Sequence, residues 1–103
     1  MTPEGSVLQE IKQYLAARGI FFFRCNTGRR GGVSFGIKGA PDIVGILPGG
    51  RFLAIEVKGP GGKASLDQLQ FLGNVAKNGG VAFVAYSIDD VARHLESVNL
   101  RSA

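Results

Sequence analysis

The chain has 103 residues and a net charge of +4, and hydrophobic residues make up 45% of it. This length supports one small domain with one core, so we expect a single domain over residues 1–103. No apolar run approaches the roughly 18 residues that span a bilayer, and the start lacks the pattern of a signal peptide, which excludes a membrane protein and argues against export. The single cysteine, Cys25, cannot form an internal disulfide, so a cytoplasmic location fits best.

The basic residues are unevenly distributed along the chain. Between Ile11 and Pro41 there is no acidic residue, and the basic residues of this segment are Lys12, Arg18, Arg24, Arg29, Arg30 and Lys38. A field of one sign attracts polyanions, of which nucleic acid is the commonest in cells. A surface that is basic only for solubility would have acids interspersed. The charge pattern therefore favours a nucleic-acid partner.

The first predicted helix runs roughly over Val7–Arg18. Ser6 and Gln9 have the spacing of a capping box, apolar residues follow with helical periodicity, and Gly19 ends the helix. Glu10 lies on the shoulder of the apolar stripe. There its carboxylate either faces solvent or leans over the sheet.

A strand and a glycine-rich segment follow. Residues 20–25 are β-branched and aromatic, which predicts a strand with both faces partly covered. Residues 26–38 contain four glycines and Arg29–Arg30, which predicts a hairpin tip followed by a short strand or extended segment. Glycine lets the backbone approach a phosphate closely and arginine neutralises it, so this is a candidate DNA-contacting loop. The alternative is a flexible, solvated tip.

The stretch from Gly39 to Lys58 places three charged groups in apolar surroundings. Asp42 starts one strand, and residues 52–58 form a buried strand on which Glu56 and Lys58 share a face. The short connection favours an antiparallel pair, which brings Asp42 close to both. Two buried carboxylates beside one lysine call for a further cation, and a divalent metal meets that need. The alternative is an ordinary Glu56–Lys58 ion pair, with Asp42 capping a turn.

The segment after this strand could be mistaken for a nucleotide-binding loop. The spacing excludes it, because a P-loop ending at Gly62–Lys63 requires its first glycine where Val57 stands. No nucleotide cofactor is therefore expected. A helix begins at Ser65, and Gln68 three residues later completes a capping box.

The last third of the chain predicts a strand and a final helix. Residues 81–86 are apolar and uncharged, so this strand is central or covered on both faces. The helix that separates it from residues 52–58 implies a parallel crossover. In the final helix, His94, the single histidine, is expected to face solvent without a catalytic role. The fold class is α/β, a mixed sheet flanked by helices.

Three motifs resemble, in order and spacing, those of the virus-type replication-repair nuclease (VRR-NUC) domain of the PD-(D/E)XK superfamily. They are GAPDIVG at residues 39–45, IEVKGP at 55–60 and SLDQ at 65–68. The resemblance covers nearly the whole chain and is to a stand-alone, minimal form of the domain. It implies a restriction-endonuclease-like fold with the element order α-β-(β)-β-β-α-β-α.

The resemblance also implies a metal-dependent DNA endonuclease. The catalytic residues that it implies are Asp42, Glu56, Lys58, Glu10 and Gln68. The metal ligands that it implies are Asp42, Glu56, the carbonyl of Val57, and Glu10. The metal is Mg²⁺, for which Mn²⁺ can substitute, and one or two ions can act. Gln68 matches the family glutamine better than Gln70, and its capping role does not exclude a place at the site.

The expected partner is DNA, bound mainly through its phosphate backbone. The candidate contacts are Arg24, Asn26, Arg29, Arg30, Lys38 and Lys63. A chain of this size has no base-reading module, so we expect selectivity for flapped, branched or junction DNA in phage or mobile-element replication, recombination or repair, in a bacterial host cell or encoded by a phage. Two alternatives are an inactive nuclease fold that binds DNA and a structural or regulatory subunit of a phage or mobile-element replication complex.

The three consecutive phenylalanines at residues 21–23 bear on oligomeric state. They put aromatic side chains on both faces of one strand, which a chain this small has difficulty covering. A two-fold dimer or higher homo-oligomer would also place two sites on one DNA. The alternative is a monomer that nicks one strand, with Phe22 packed under a helix.

Overall fold

The computed structural model describes residues 2–25, 29–30, 33–34 and 37–98, with the backbone alone for 29–30 and 33–34. The helices are α1 Pro3–Ala17, α2 Leu66–Lys77 and α3 Ile88–Glu96. The strands are β1 Phe21–Arg24, β2 Arg29–Arg30, β3 Val33–Ser34, β4 Ile43–Ile46, β5 Phe52–Val57 and β6 Val81–Ala85. Over these ranges, no helix is both long and apolar enough to span a bilayer.

The main sheet has four strands in the order β1-β4-β5-β6. β4 pairs antiparallel with both β1 and β5, whereas β5 and β6 are parallel and are joined by α2. The predicted α/β class, with a mixed sheet flanked by helices, is confirmed. The glycine-rich segment contains a separate two-stranded pairing of β2 with β3. The backbone of Arg29–Arg30 is therefore in a short strand, although the sequence predicted the tip of a hairpin there.

The two faces of β5 separate the core from the polar residues. Leu53, Ile55 and Val57 are buried in the main hydrophobic cluster with residues of α1 and α3. Residues that alternate with them point to the opposite face, which α2 covers at β5 and β6. Glu56 is on this second face, as its contact with α2 shows. The fold thus places a carboxylate between the sheet and α2.

Helix α1 begins four residues before its predicted start. The hydroxyl of Thr2 accepts a hydrogen bond from the N–H of Gly5 at 3.0 Å, and Pro3 occupies the first helical position. A threonine cap and a proline with a preset φ together form a strong start signal. The predicted capping box at Ser6 and Gln9 is therefore wrong, because both residues are already inside the helix.

The two outer strands differ in how they are covered. β6 lies at one edge of the sheet but packs against both α2 and α3, so it is covered on both faces without being central. On β1, Phe22 packs against the core, whereas Phe21 and Phe23 are 63% and 53% exposed. The expectation that both faces of β1 are partly covered is wrong, because α2 lies over the other end of the sheet.

Candidate active site

Asp42 directly precedes β4 and connects it to the end of β5. Its Oδ2 accepts a hydrogen bond from the backbone N–H of Val57 at 2.7 Å. The chain before it is held against α2, since a β-carbon on Gly39, whose φ is 81°, would collide with the backbone carbonyl of Asp67. A side chain at Gly39 would therefore displace the segment that carries Asp42.

Glu56 and Lys58 lie on the same face, as the strand periodicity predicted. Lys58 Nζ is 3.2 Å from Glu56 Oε2, and the two side chains are 18% and 4% exposed. Lys58 follows the last residue of β5, and its N–H still donates to the carbonyl of Ala85 at 3.0 Å. The strand pairing with β6 therefore continues far enough to fix the backbone of both charged residues.

Gln68 on the first turn of α2 connects the helix cap to Glu56. The Ser65 N–H donates to Gln68 Oε1 at 2.8 Å, and the Gln68 N–H donates to Ser65 Oγ at 3.1 Å. Because the Ser65 N–H is a donor, it selects the amide oxygen, so the NH₂ group of Gln68 faces the sheet. That group donates to Glu56 Oε2 at 2.8 Å. The capping role and the place at the site are compatible.

The two oxygens of Glu56 have different surroundings. Oε2 accepts from Gln68 and Lys58, whereas Oε1 is buried and has no hydrogen-bond partner among the described residues. Burial, together with the negative charge of the nearby Asp42, raises the pKa of Glu56 to about 7, and Lys58 opposes this shift. A buried carboxylate oxygen without a partner is a site for a proton or a cation.

Comparison with protein-family models gives a match to the VRR-NUC domain over residues 33–89, more than half of the chain. The chain belongs to the VRR-NUC family. It is therefore related to nucleases of the PD-(D/E)XK superfamily, as the three motifs predicted. The VRR-NUC match includes Asp42, Glu56, Lys58 and Gln68. No curated protein and no solved structure matches the chain.

Helix α1 precedes the VRR-NUC match, and its predicted site residue is not brought to the others. Glu10 is exposed, and the described residues contain no group of three His, Cys, Asp or Glu side chains that could hold a metal ion. Its role stays a prediction.

A different acidic residue of α1, which the sequence reasoning missed, has its backbone beside the loop that follows β5. A β-carbon on Gly59 would lie 3.3 Å from the backbone nitrogen of Glu4. Glu4 is seven residues before Ile11 and eleven before Leu15, so it lies on the same side of the helix as these buried residues, although Glu4 itself is exposed. Thr2 and Pro3 are the signal that could have found Glu4, because a cap at Thr2 starts the helix early enough to include it.

The structure describes three of the six candidate DNA contacts of this VRR-NUC domain with their side chains. Arg24 is exposed on β1 opposite Ile43, next to the position of Asp42. Lys63 is exposed in the loop after Lys58, and Lys38 Nζ is 3.4 Å from Asp67 Oδ2. Asn26 and the side chains of Arg29 and Arg30 lie outside the described residues.

Proposed function

We propose that this VRR-NUC domain is a metal-dependent endonuclease that hydrolyses phosphodiester bonds in DNA. The observation that carries the proposal is the surroundings of Glu56. One of its oxygens is held by Lys58 and Gln68, and the other is buried without a described partner beside Asp42. A purely structural ion pair has no need for a second carboxylate that raises the cost of the first.

The donor set suits a hard divalent cation. Asp42 and Glu56 would hold it through carboxylate oxygens, the ligand type of Mg²⁺ and Mn²⁺, with the carbonyl of Val57 as a further candidate. When bound, such an ion supplies a water molecule with a lowered pKa and polarises a phosphate oxygen. Mg²⁺ is the proposed ion because it is the smaller, oxygen-selective cation that nucleic-acid enzymes use with one or two carboxylates.

Each of the other residues at the site has a task that follows from its chemistry. Lys58 carries a positive charge that can stabilise negative charge developing on the phosphate. Gln68 donates to Glu56 Oε2 and so keeps that carboxylate in one rotamer, with Oε1 free for the cation. We propose that α1 supplies one more carboxylate to the site. The candidates are Glu10, from its position relative to the family, and Glu4, from the closeness of its backbone to Gly59.

We propose DNA as the substrate, bound by its backbone and selected by its shape. The acid-free basic segment before Pro41 supplies charge for phosphates, together with the exposed Arg24, which is paired with the residue after Asp42, and the exposed Lys63, which follows Lys58 in the next loop. Discrimination among DNA forms would come from their geometry, which favours flapped, branched or junction substrates.

We also propose that the active form is a homodimer. Phe21 and Phe23 project from β1, an outer strand of the main sheet, with ring centroids 6.5 Å apart. Register places Phe21 beside Ile46, and Ile46 beside Phe52, on one open face. These four apolar side chains are each at least 41% exposed. A second copy would cover them and add a second site for the opposite DNA strand.

Cleavage assays test the proposed function. Labelled linear, flapped and four-way DNA is incubated with and without Mg²⁺, using wild type, Glu56→Gln, Lys58→Ala and Asp89→Asn, a control that removes an exposed charge from α3. We expect wild type and Asp89→Asn to cleave DNA only with Mg²⁺, and Glu56→Gln and Lys58→Ala not to cleave it. Wild-type protein that binds these DNAs but cuts none in Mg²⁺ or Mn²⁺ would instead support the inactive DNA-binding alternative.

A further inference from the structure

The loop that follows Lys58 folds back over the side chain of that same lysine. The N–H of Gly62 donates to the carbonyl of Gly59 at 3.0 Å, which closes the loop into a turn. A β-carbon on Gly62 would lie 3.4 Å from Lys58 Cβ and 3.6 Å from its Cδ. The Gly62 backbone therefore lies alongside the alkyl stem of Lys58, with room between them for no more than a methyl group.

One side chain from outside the loop holds the loop backbone in this position. The hydroxyl of Tyr86 donates to the carbonyl of Gly62 at 2.9 Å. Tyr86 directly follows β6, where the carbonyl of Ala85 accepts from the N–H of Lys58 at 3.0 Å. The N–H of Tyr86 donates to Asp90 Oδ2 at 2.8 Å, which ties its backbone to the first turn of α3. A rigid part of the fold thus reaches the loop through one hydroxyl.

The loop needs such a contact because its glycine-rich sequence does not by itself favour one backbone conformation. Gly59, Gly61 and Gly62 give the backbone more conformational freedom to lose than other residues would. The lysine stem has four flexible carbon–carbon bonds, and its Nζ is held by one ion pair, at 3.2 Å from Glu56 Oε2. If the loop moves away, the stem gains rotamers and the ammonium group spends less time beside Glu56.

We propose that Tyr86 is a positioning residue, which holds the Gly59–Lys63 loop against Lys58 and so keeps the Lys58 ammonium group at the site. This inference rests on the proposed nuclease function for its kinetic consequence. Its structural consequence, the fixed position of Lys58, requires neither DNA nor metal.

Two hydroxyl deletions give a matched test. Tyr86→Phe removes the donor to Gly62, whereas Tyr14→Phe removes a buried hydroxyl on α1 that has no hydrogen-bond partner among the described residues. Lysine is labelled with ¹³C, and the ε-methylene resonance of Lys58 is assigned by its loss in Lys58→Ala. We expect Tyr86→Phe to move this resonance towards the position of a free lysine, and Tyr14→Phe to leave it unchanged, both without metal or DNA.

Steady-state cleavage of flapped DNA provides the second measurement. We expect Tyr86→Phe to lower kcat about fivefold, the rate equivalent of one neutral hydrogen bond, and to leave KM unchanged. Thermal melts establish that each variant is folded.

The outcomes separate this inference from the proposed function. An unchanged Lys58 resonance in Tyr86→Phe overturns it, and so does a displaced resonance with an unchanged kcat. Wild-type protein that cuts no DNA overturns the nuclease proposal, and the resonance alone then decides whether Tyr86 positions Lys58.

Discussion

The carboxylate of Asp42 accepts a hydrogen bond from the buried backbone N–H of Val57 at 2.7 Å, across a sequence separation of 15 residues. Asp42 therefore connects the start of β4 to the end of β5 and also places its charge beside Glu56, whose pKa it helps to raise. The Asp42 side chain thus both accepts a structural hydrogen bond and supplies a negative charge, and substitutions can remove the charge with or without the hydrogen-bond acceptor.

Asp42→Asn and Asp42→Ala should differ in stability but not in activity. Asparagine retains an oxygen for the Val57 N–H, whereas alanine leaves that donor unsatisfied, which costs about 1–3 kcal/mol. Both variants lose the charge that the proposed metal site requires, so both should be inactive. Urea unfolding and the cleavage assay measure the two effects. Wild-type rates in Asp42→Asn would remove Asp42 from the proposed site.

The raised pKa of Glu56 predicts how stability depends on pH. The native carboxyl has a pKa of about 7 against 4.5 for the unfolded chain, so the native state binds the proton more tightly. This contribution is fully present below pH 4.5 and is lost as the pH rises through 7. In chelator, Glu56→Gln should therefore gain free energy of unfolding relative to wild type between pH 5 and 8, by up to about 3 kcal/mol.

Urea unfolding of the metal-free protein at a series of pH values measures this trend. The matched control is Glu96→Gln, which changes an exposed carboxylate on α3 in the same way. A difference between Glu56→Gln and wild type that stays constant from pH 5 to 8 would contradict the raised pKa.

Gln68→Glu separates the helix cap from the active site. Glutamate at this position still accepts from the Ser65 N–H and preserves the capping box. It cannot donate to Glu56 Oε2, and its negative charge raises the pKa of Glu56 further. We expect at least a tenfold loss of cleavage rate and a pH profile displaced upwards.

Initial rates between pH 6 and 9 measure this effect. Gln70→Glu is the control, since it makes the same charge change at an exposed position of α2. Equal losses in Gln68→Glu and Gln70→Glu would mean that net charge, and not the contact with Glu56, causes the effect.

The basic hairpin residues should contribute to DNA binding through phosphates. Replacing Arg29 and Arg30 together by alanine should weaken binding equally for all sequences. It should also reduce the slope of log K against log salt by about two, since each phosphate contact contributes about 0.9. Fluorescence anisotropy over a salt series measures this. Arg93→Ala, which removes a charge paired with Asp90 on α3, should leave the slope unchanged, and an equal effect of both changes would contradict a specific role of the hairpin.

The open aromatic face predicts the effect of charge on oligomeric state. Phe21→Asp combined with Phe23→Asp should convert a dimer into a folded monomer, because the introduced carboxylates would be buried unpaired at the interface. Leu66→Asp is the control, since it alters an apolar side chain on α2 that is 85% exposed. Light scattering at micromolar concentration, with and without DNA, measures the mass. A wild-type monomer under both conditions that still cuts both strands together would contradict the two-site argument.

Elements with local sequence signals could be predicted from the order of the amino acids. The alternation in residues 52–58 predicted a buried strand with Glu56 and Lys58 on one face, and the folded chain has this arrangement. Ser65 and Gln68 predicted the start of α2 from their spacing. In both cases the residues that carry the signal lie within one turn or one strand, where backbone geometry alone fixes their relation.

Contacts between side chains of different elements could not be predicted from local patterns. Sequence spacing allowed Gln68 to cap a helix, but the packing of α2 on β5 brought its amide to Glu56. The same packing left Phe21 and Phe23 uncovered, because α2 lies over β5 and β6 and not over β1. The hydrogen bond from Tyr86 to Gly62 spans 24 residues. Such contacts depend on strand register and on the choice of covered face, which are set by the whole core and not by any local pattern.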